Sequence, residues 1–327
     1  MQVALQQSSP VDSTLEGRVH VLSNGQSITL PPPDEFYARL VTRNRGLIAD
    51  AEQQRLQSAT ILVAGCGSVG GAVIEPFVRL GAAHLVLAEP DAYDLPNLNR
   101  QSARLQDIGR NKAAVFQERM RDINPYASIE IETNGITDDN VERLVKTADL
   151  IIDAVDVTTK PPLRAKFALH ERAKQFGVPV LAGYDIGGLQ LLITYDYRRQ
   201  STAVLHGRVQ ASEVADIEPF AFLRRVIPIR AIPFEIIGEL RRQVRGEGQG
   251  FPQLVFTAQL FGVLALPAAL EILSGRAVRR QIIIDIPSQL RPLSARLRVA
   301  AARLGGLYHL NNEFRRSRGT TIGSPQH

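Results

Sequence analysis

The 327-residue chain has no tryptophan, two methionines and one cysteine. With Cys66 alone, no intramolecular disulfide can close and no cysteine set can hold structural zinc. The six histidines (His20, His84, His170, His206, His309 and His327) are scattered and lack metal-ligand spacing. Nothing near the start reads as a signal peptide, because residues 1–36 mix Gln, Ser, Asp, Pro and Glu. The expectation is a soluble, cytoplasmic chain. Neither sign of charge dominates: 38 Lys and Arg stand against 33 Asp and Glu, with the excess gathered at 224–245 and near Arg315, Arg316 and Arg318. Those clusters read as solvated basic faces, and without a recognition motif nucleic acid is not an expected partner. The long apolar run at 256–273 carries Gln259, Pro267 and Glu271, which suits a buried core helix and not a membrane span. No repeat or low-complexity tract is evident.

What is present is ordinary globular composition, 44% hydrophobic and 22% charged. Residues 1–40 read as an arm, with a turn at Asn24-Gly25 and a stiff exit at Pro31-Pro32-Pro33. Strands are then predicted at 60–64, 84–88, 128–132, 150–153 and 178–183, several of them continuous apolar runs. Helices alternate with them, at 69–80, from 112, at 139–146 and at 163–176. That order predicts an α/β fold with a Rossmann-like, doubly wound sheet, mainly parallel and covered on both faces. Residues 189–195 and 281–287 add antiparallel strands in the C-terminal half. Residues 197–214 read as a polar loop, and 316–327 as a loose tail.

After the first apolar strand stands Gly65-Cys66-Gly67-Ser68-Val69-Gly70. The first glycine permits a tight turn, the second lets backbone approach a phosphate, and the third lets the helix pack close to the sheet. Glu89 ends the next strand, 24 positions beyond Gly65, where a carboxylate can accept hydrogen bonds from ribose hydroxyls. These features alone suit an NAD-dependent oxidoreductase equally well.

The residues that follow separate the two readings. They are Pro90-Asp91-Ala92-Tyr93-Asp94-Leu95-Pro96-Asn97-Leu98-Asn99-Arg100-Gln101, then Ile108-Gly109-Arg110-Asn111-Lys112, then Asp153 and Asp156. Together with Arg43-Asn44-Arg45-Gly46 upstream and Ile123-Asn124-Pro125, this series resembles the ThiF-type adenylyltransferases. These are relatives of ubiquitin-activating enzymes and of enzymes that activate sulfur-carrier proteins. The resemblance covers residues 41–195 well and 255–287 loosely. It implies an adenylation domain at 41–300, with a nucleotide-binding half at 58–196, a crossover loop at about 197–250 and a C-terminal helix and strand at 251–290. A basic tail would occupy 301–327.

By the same resemblance, ATP and Mg²⁺ are the expected cofactors. Arg100 and Lys112 would hold phosphates, Arg43 would reach the γ-phosphate, often from a partner subunit, and Asp156 would ligate Mg²⁺. Gly65, Gly67, Ser68, Gly70, Glu89, Asp91, Asn97 and Gln101 would support the nucleotide, with Asp153 behind them. Joining a carboxylate to the α-phosphate brings anions together, so fixed cations are the groups the chemistry needs. The family usually has Asp where Glu89 stands, and an Asn where Val157 stands. Its Arg a few positions later is replaced here by Lys160 or by the more distant Arg164.

The family's catalytic cysteine and zinc-binding cysteine pairs are missing. Cys66 lies inside the phosphate loop, where an acyl group would obstruct the nucleotide, so no self-thioester is expected. Ser201 and Thr202, with His206 nearby, are candidate acyl acceptors in the segment where the cysteine would lie. The implied substrate is the C-terminus of a ubiquitin-like or sulfur-carrier protein, with a downstream conjugating enzyme and a homodimeric assembly. A small-molecule, peptide or tRNA-borne carboxylate is the alternative substrate, and an inactive nucleotide-binding scaffold the alternative of another class.

Overall fold

The computed structural model describes residues 18–21, 25–158, 160–248 and 251–319. The chain divides into two units, residues 1–47 and 48–327. In the first unit, β1 (Arg18–Val21) pairs antiparallel with β2 (Ser27–Leu30), and α1 (Pro33–Leu40) follows. Gly25 adopts φ of 81°, the left-handed conformation that the reversal between the two strands requires. Arg43 lies on the short turn Thr42–Asn44 of this unit, so the unit boundary falls seven residues beyond the expected end of the arm.

The second unit begins with α2 (Asp50–Ser58) and the buried strand β3 (Thr60–Ala64), then α3 (Ser68–Leu80) and β4 (His84–Ala88). Next come α4 (Lys112–Ile123), β5 (Ser128–Glu132), α5 (Val141–Lys146) and β6 (Leu150–Asp153). After α6 (Lys160–Phe176), β7 (Val180–Ile186) turns directly into β8 (Leu189–Tyr195). The chain ends through α7 (Pro219–Val226), α8 (Phe234–Val244), α9 (Val255–Leu273), β9 (Gln281–Asp285), α10 (Ile286–Leu290) and α11 (Leu293–Gly319).

One seven-stranded sheet runs β5-β4-β3-β6-β7-β8-β9. The first five strands are parallel and the pairs β7–β8 and β8–β9 antiparallel, the predicted mixed sheet. The continuous apolar strands have both faces covered, with one hydrophobic cluster on each side of the sheet. The apolar run lies in α9, whose buried face includes Phe261, Gly262 and Ala265. A Cβ on Gly262 would stand 2.4 Å from Ala72 O, so this glycine allows α9 to lie directly on α3.

Two expectations fail in the C-terminal half. The segment after β8 is no open polar loop: Leu205 and Val209 are buried, and the Tyr197 hydroxyl bonds His170 Nδ1 (2.7 Å) and accepts from the Leu205 N–H (3.0 Å). Residues 301–316, expected within a basic tail, belong to α11. Leu310 is buried there, and Leu307 and Phe314 pack beside it at positions i, i+3 and i+7 of one helical stripe. Residues 320–327 of the expected tail lie outside the described residues.

Candidate functional site

The sheet order reverses beside β3: β4 lies on one side of it and β6 on the other. The carboxyl ends of strands at such a reversal leave a crevice, the usual place for a ligand in this architecture. A cavity of about 1110 Å³ opens there.

Its floor is the phosphate loop. Gly65 adopts φ of 92°, and a Cβ there would meet Ala154 O at 2.4 Å. A Cβ on Gly70 would lie 1.8 Å from Gly65 O, so Gly70 serves helix–loop packing and does not line the cavity. Gly67 and Ser68 do line it, at the first turn of α3, where helix N–H groups have no partner within the helix. Cys66 is buried, and burial pushes its thiol well above the ordinary range. It is packing, not a nucleophile.

Glu89 ends β4 and is buried. Its carboxylate accepts from the Cys66 N–H (2.6 Å) and the Asp91 N–H (2.9 Å), so it braces the loop as well as facing the cavity. Burial raises its pKa, opposed by the Lys112 charge and these two amides. Asn111 caps α4 through the Ala114 N–H (3.1 Å) and donates to Glu89 O (2.9 Å), which sets the helix start against the strand end. Lys112, the first residue of that helix, is thereby held with Nζ 3.3 Å from Asp91 Oδ2.

Arg100 follows a short turn, Leu95–Asn99, capped by Asp94. Its guanidinium donates to Pro96 O (3.0 Å), Asn99 Oδ1 (2.9 Å) and Gln253 Oε1. Asn97 does not line the cavity. It accepts from the Asp94 N–H (3.0 Å), and its carbonyl accepts from the N–H groups of Arg100 and Gln101, so it shapes the turn. Asp156 is exposed on the loop after β6 and accepts from the Thr158 N–H (2.9 Å). Arg100, Lys112, Asp156, Asp91 and Gln101 all line the one cavity. Lys160 instead pairs with Glu218 (2.7 Å), and neither it nor the exposed Arg164 lines the cavity. Asp153 sits below, fully buried between Lys166 and His170 Nε2 (2.9 Å). Burial alone would raise its pKa, but the Lys166 ammonium and the His170 bond hold it at about 2. From there it accepts weakly from the Val155 N–H (3.3 Å), under the loop that carries Asp156.

Ser201 and Thr202 do not reach this crevice. β8 runs antiparallel to β7, with Tyr195 opposite Val180 and Leu189 opposite Ile186. The chain therefore leaves β8 at the amino end of β7, a full strand away from the cavity. His206 Nε2 donates to Thr194 O (3.1 Å), the ring stacks on Tyr195, and its pKa is pushed to about 4, by burial first and then by Arg280. It is a poor base for either hydroxyl, and the acyl-acceptor assignment is dropped.

Two polar residues at the site escaped sequence reading. Asp185, at the carboxyl end of β7, accepts from Ser68 Oγ (2.7 Å) through Oδ2, while its buried Oδ1 has no hydrogen-bond partner. Burial lifts its pKa to about 6, against the Ser68 hydrogen bond and the Arg100 charge. Gln253 is placed by a bridge to Gly187 and holds Arg100. An acid closing a strand before Gly187-Gly188 was a visible signal for the first; nothing local marks the second.

The residues fit a nucleotide. Where a Cβ on Gly67 would stand, the only heavy atom within 4 Å is Gln101 Nε2 at 3.7 Å, so backbone is open to a phosphate. Gln101 Oε1 is buried and unpartnered. Among the described residues no group of three or more His, Cys, Asp or Glu could cage a metal ion. A Mg²⁺ held by one carboxylate with phosphates and water needs no such cage.

Residues 41–294 match the model of the ThiF family, and the chain belongs to that family. It is 29% identical over 132 residues to the sulfur carrier protein adenylyltransferase of Thermus thermophilus, covering 40% of this chain and 47% of that one. Among solved structures, PaaA superposes with a TM-score of 0.57 at 18% identity, covering 81% of this chain and 83% of that one. The E. coli tRNA N6-threonylcarbamoyladenosine dehydratase TcdA, in complex with AMP, superposes at 0.53 and 22% identity, covering 75% and 98%. At these identities the structures establish the shared fold. The chain spans less than half the length of the first curated relatives it matches.

Proposed function

We propose that this protein is an ATP-dependent adenylyltransferase that activates a carboxylate, the substrate being the C-terminus of a ubiquitin-like or sulfur-carrier protein. The observation that carries the reading is the convergence of Arg100, Lys112 and Asp156 on one cavity floored by the Gly65–Gly70 turn. An oxidoreductase would need the glycine loop and Glu89 but not the two cations and the distal acid.

In this reading ATP, when bound, supplies the electrophilic α-phosphorus and pyrophosphate as the leaving group. A carboxylate oxygen bonds to that phosphorus as the bond to the β-phosphate breaks. Lys112 and Arg100 neutralise the approaching anions and the charge that develops on the leaving oxygens. Glu89 accepts from the ribose with the lone pairs its two amide partners leave free. Asp156 would hold the Mg²⁺ that accompanies the phosphates. The proposal extends to a homodimer in which Arg43 reaches the γ-phosphate, as the family resemblance implies. The adenylate passes to a partner's nucleophile, since Cys66 is sealed in the core.

The test pairs two measurements. MgATP raises the melting temperature and NAD does not, and the C-terminus of a ubiquitin-like or sulfur-carrier protein supports ATP–pyrophosphate exchange. Stabilisation by NAD alone overturns the proposal.

A further inference from the structure

The cavity is larger than a nucleotide site needs. Small-molecule sites span about 300–1,000 Å³, and this one exceeds that range while its polar machinery crowds one end. The other end is a lobe between α7, α8 and α11, walled by Phe220, Leu223, Ile236, Phe251, Leu310 and Phe314. Phe220 stacks on both Phe251 (6.3 Å) and Phe314 (5.2 Å), and the Arg224 guanidinium lies 4.1 Å from the Phe314 ring. The roof is fastened. Arg241 on α8 donates twice to Glu313 on α11 (2.6 and 3.0 Å), and Arg303 donates to the carbonyls of Ile229, Arg230 and Ile232.

Asp185 marks the seam between the two ends. Its Oδ2 is held by Ser68 of the phosphate loop, and Tyr184 and Ile186 beside it line the same cavity. The unpartnered Oδ1 is a buried acceptor, and such atoms in native proteins nearly always have a donor once the site is filled. An N–H lying one residue back from a reacting carboxylate is such a donor. The walls are mostly aromatic and aliphatic, although Arg224, stacked on Phe314, and Gln243 and Asn311 line this end too, and they reward an apolar side chain. A tRNA would bring phosphates against these walls, and a small polar acid would leave the lobe unfilled.

We propose that this lobe binds the acyl substrate as a peptide C-terminus with a bulky apolar side chain within its last three residues, one peptide N–H being donated to Asp185 Oδ1. The proposal rests on the carboxylate-activating reading above and narrows its substrate class. A bare Gly-Gly tail forfeits the contact.

Four acetylated tetrapeptides test it: Ac-Ala-Ala-Leu-Gly, Ac-Ala-Ala-Phe-Gly, Ac-Ala-Ala-Gly-Gly and Ac-Ala-Ala-Asp-Gly, each assayed for peptide-dependent ATP–pyrophosphate exchange with the full chain. The Leu and Phe peptides are expected to exceed the other two at least tenfold in kcat/KM. Leu223→Lys is expected to raise the KM for the Leu peptide at least fivefold. Because Leu223 is half-buried, Ile229→Lys, at an exposed lining position, repeats the test without burdening the fold. Asp185→Ala is expected to raise the same KM, and Asp185→Asn, which keeps an acceptor oxygen, to restore it. Equal or better turnover of the Gly-Gly or Asp peptide overturns the apolar preference and leaves adenylation standing. No exchange with any peptide, while MgATP still raises the melting temperature, overturns the peptide class. Loss of the MgATP effect itself overturns the underlying reading and this proposal with it.

Discussion

The two ends of the cavity are built in opposite ways. At the nucleotide end, residues 65–112 and the loop after β6 hold the polar groups through short hydrogen bonds between neighbours: Glu89 to the Cys66 and Asp91 amides, Asn111 to the Glu89 carbonyl. The far end is held differently. The lobe is formed by side chains from 219–251 and 307–314, brought together by packing and by a few arginine clips. Backbone amides and glycine turns make a site for a group common to many ligands, phosphate. Side chains on helices make a site for whatever shape those side chains leave.

That contrast can be broken at several points. The largest effect is expected at the roof. Leu310→Ala removes a buried side chain from the core and is expected to cost about 2–5 kcal/mol of stability in urea unfolding. A loss below about 1 kcal/mol would mean that α11 is not an integral wall. Lys112→Ala acts at the other end without a comparable stability loss. It is expected to reduce ATP–pyrophosphate exchange by roughly 2–4 kcal/mol of transition-state stabilisation, about thirty- to nine-hundredfold, and Asp156→Ala likewise. Unchanged exchange in both variants would refute the phosphate and metal assignments.

A smaller effect is expected at the seam, and it depends on pH. The Asp185 carboxyl has its proton affinity lifted to about 6 in the folded state. Below about pH 4 both folded and unfolded chains hold the proton, and the acid costs the fold nothing. Between about pH 4 and 6 the unfolded chain ionises while the folded carboxyl keeps its proton, so stability falls across that window and the penalty is constant above it. Asp185→Asn is therefore expected to stabilise the protein by up to about 3 kcal/mol at pH 8 and by less than about 0.5 kcal/mol at pH 4, measured by thermal melts across that range. A pH-independent difference would place the residue in solvent. The smallest effect is expected at Ser201→Ala/Thr202→Ala, beyond the opposite end of the strands, where exchange should stay within about twofold. A larger loss would bring that loop back to the reaction.

The nucleotide end was legible in sequence because its signals are local. A glycine turn after an apolar strand, a carboxylate at the next strand end and a helix-initial lysine are each set by a few neighbouring residues. Where reading failed, the contacts were distant. Residues 301–316 looked like a basic tail because Arg303, Arg315 and Arg316 hide a stripe of Leu307, Leu310 and Phe314 whose partners lie on α7 and α8. Ser201 and Thr202 occupy the right segment by order, but β7–β8 register carries them to the wrong end of the sheet. Gln253 reaches Arg100 across 153 positions, and no pattern in the chain announces it.

By itself the sequence determined the parallel sheet, the phosphate turn and the charges gathered round it, because strand apolarity and turn chemistry are decided residue by residue. Only the tertiary structure decided which end of the sheet each connection reaches, that the final helix closes the cavity, and that a buried oxygen of Asp185 stands without a partner. Those depend on strand register and on side chains meeting from far along the chain, which burial selects and local preference does not encode.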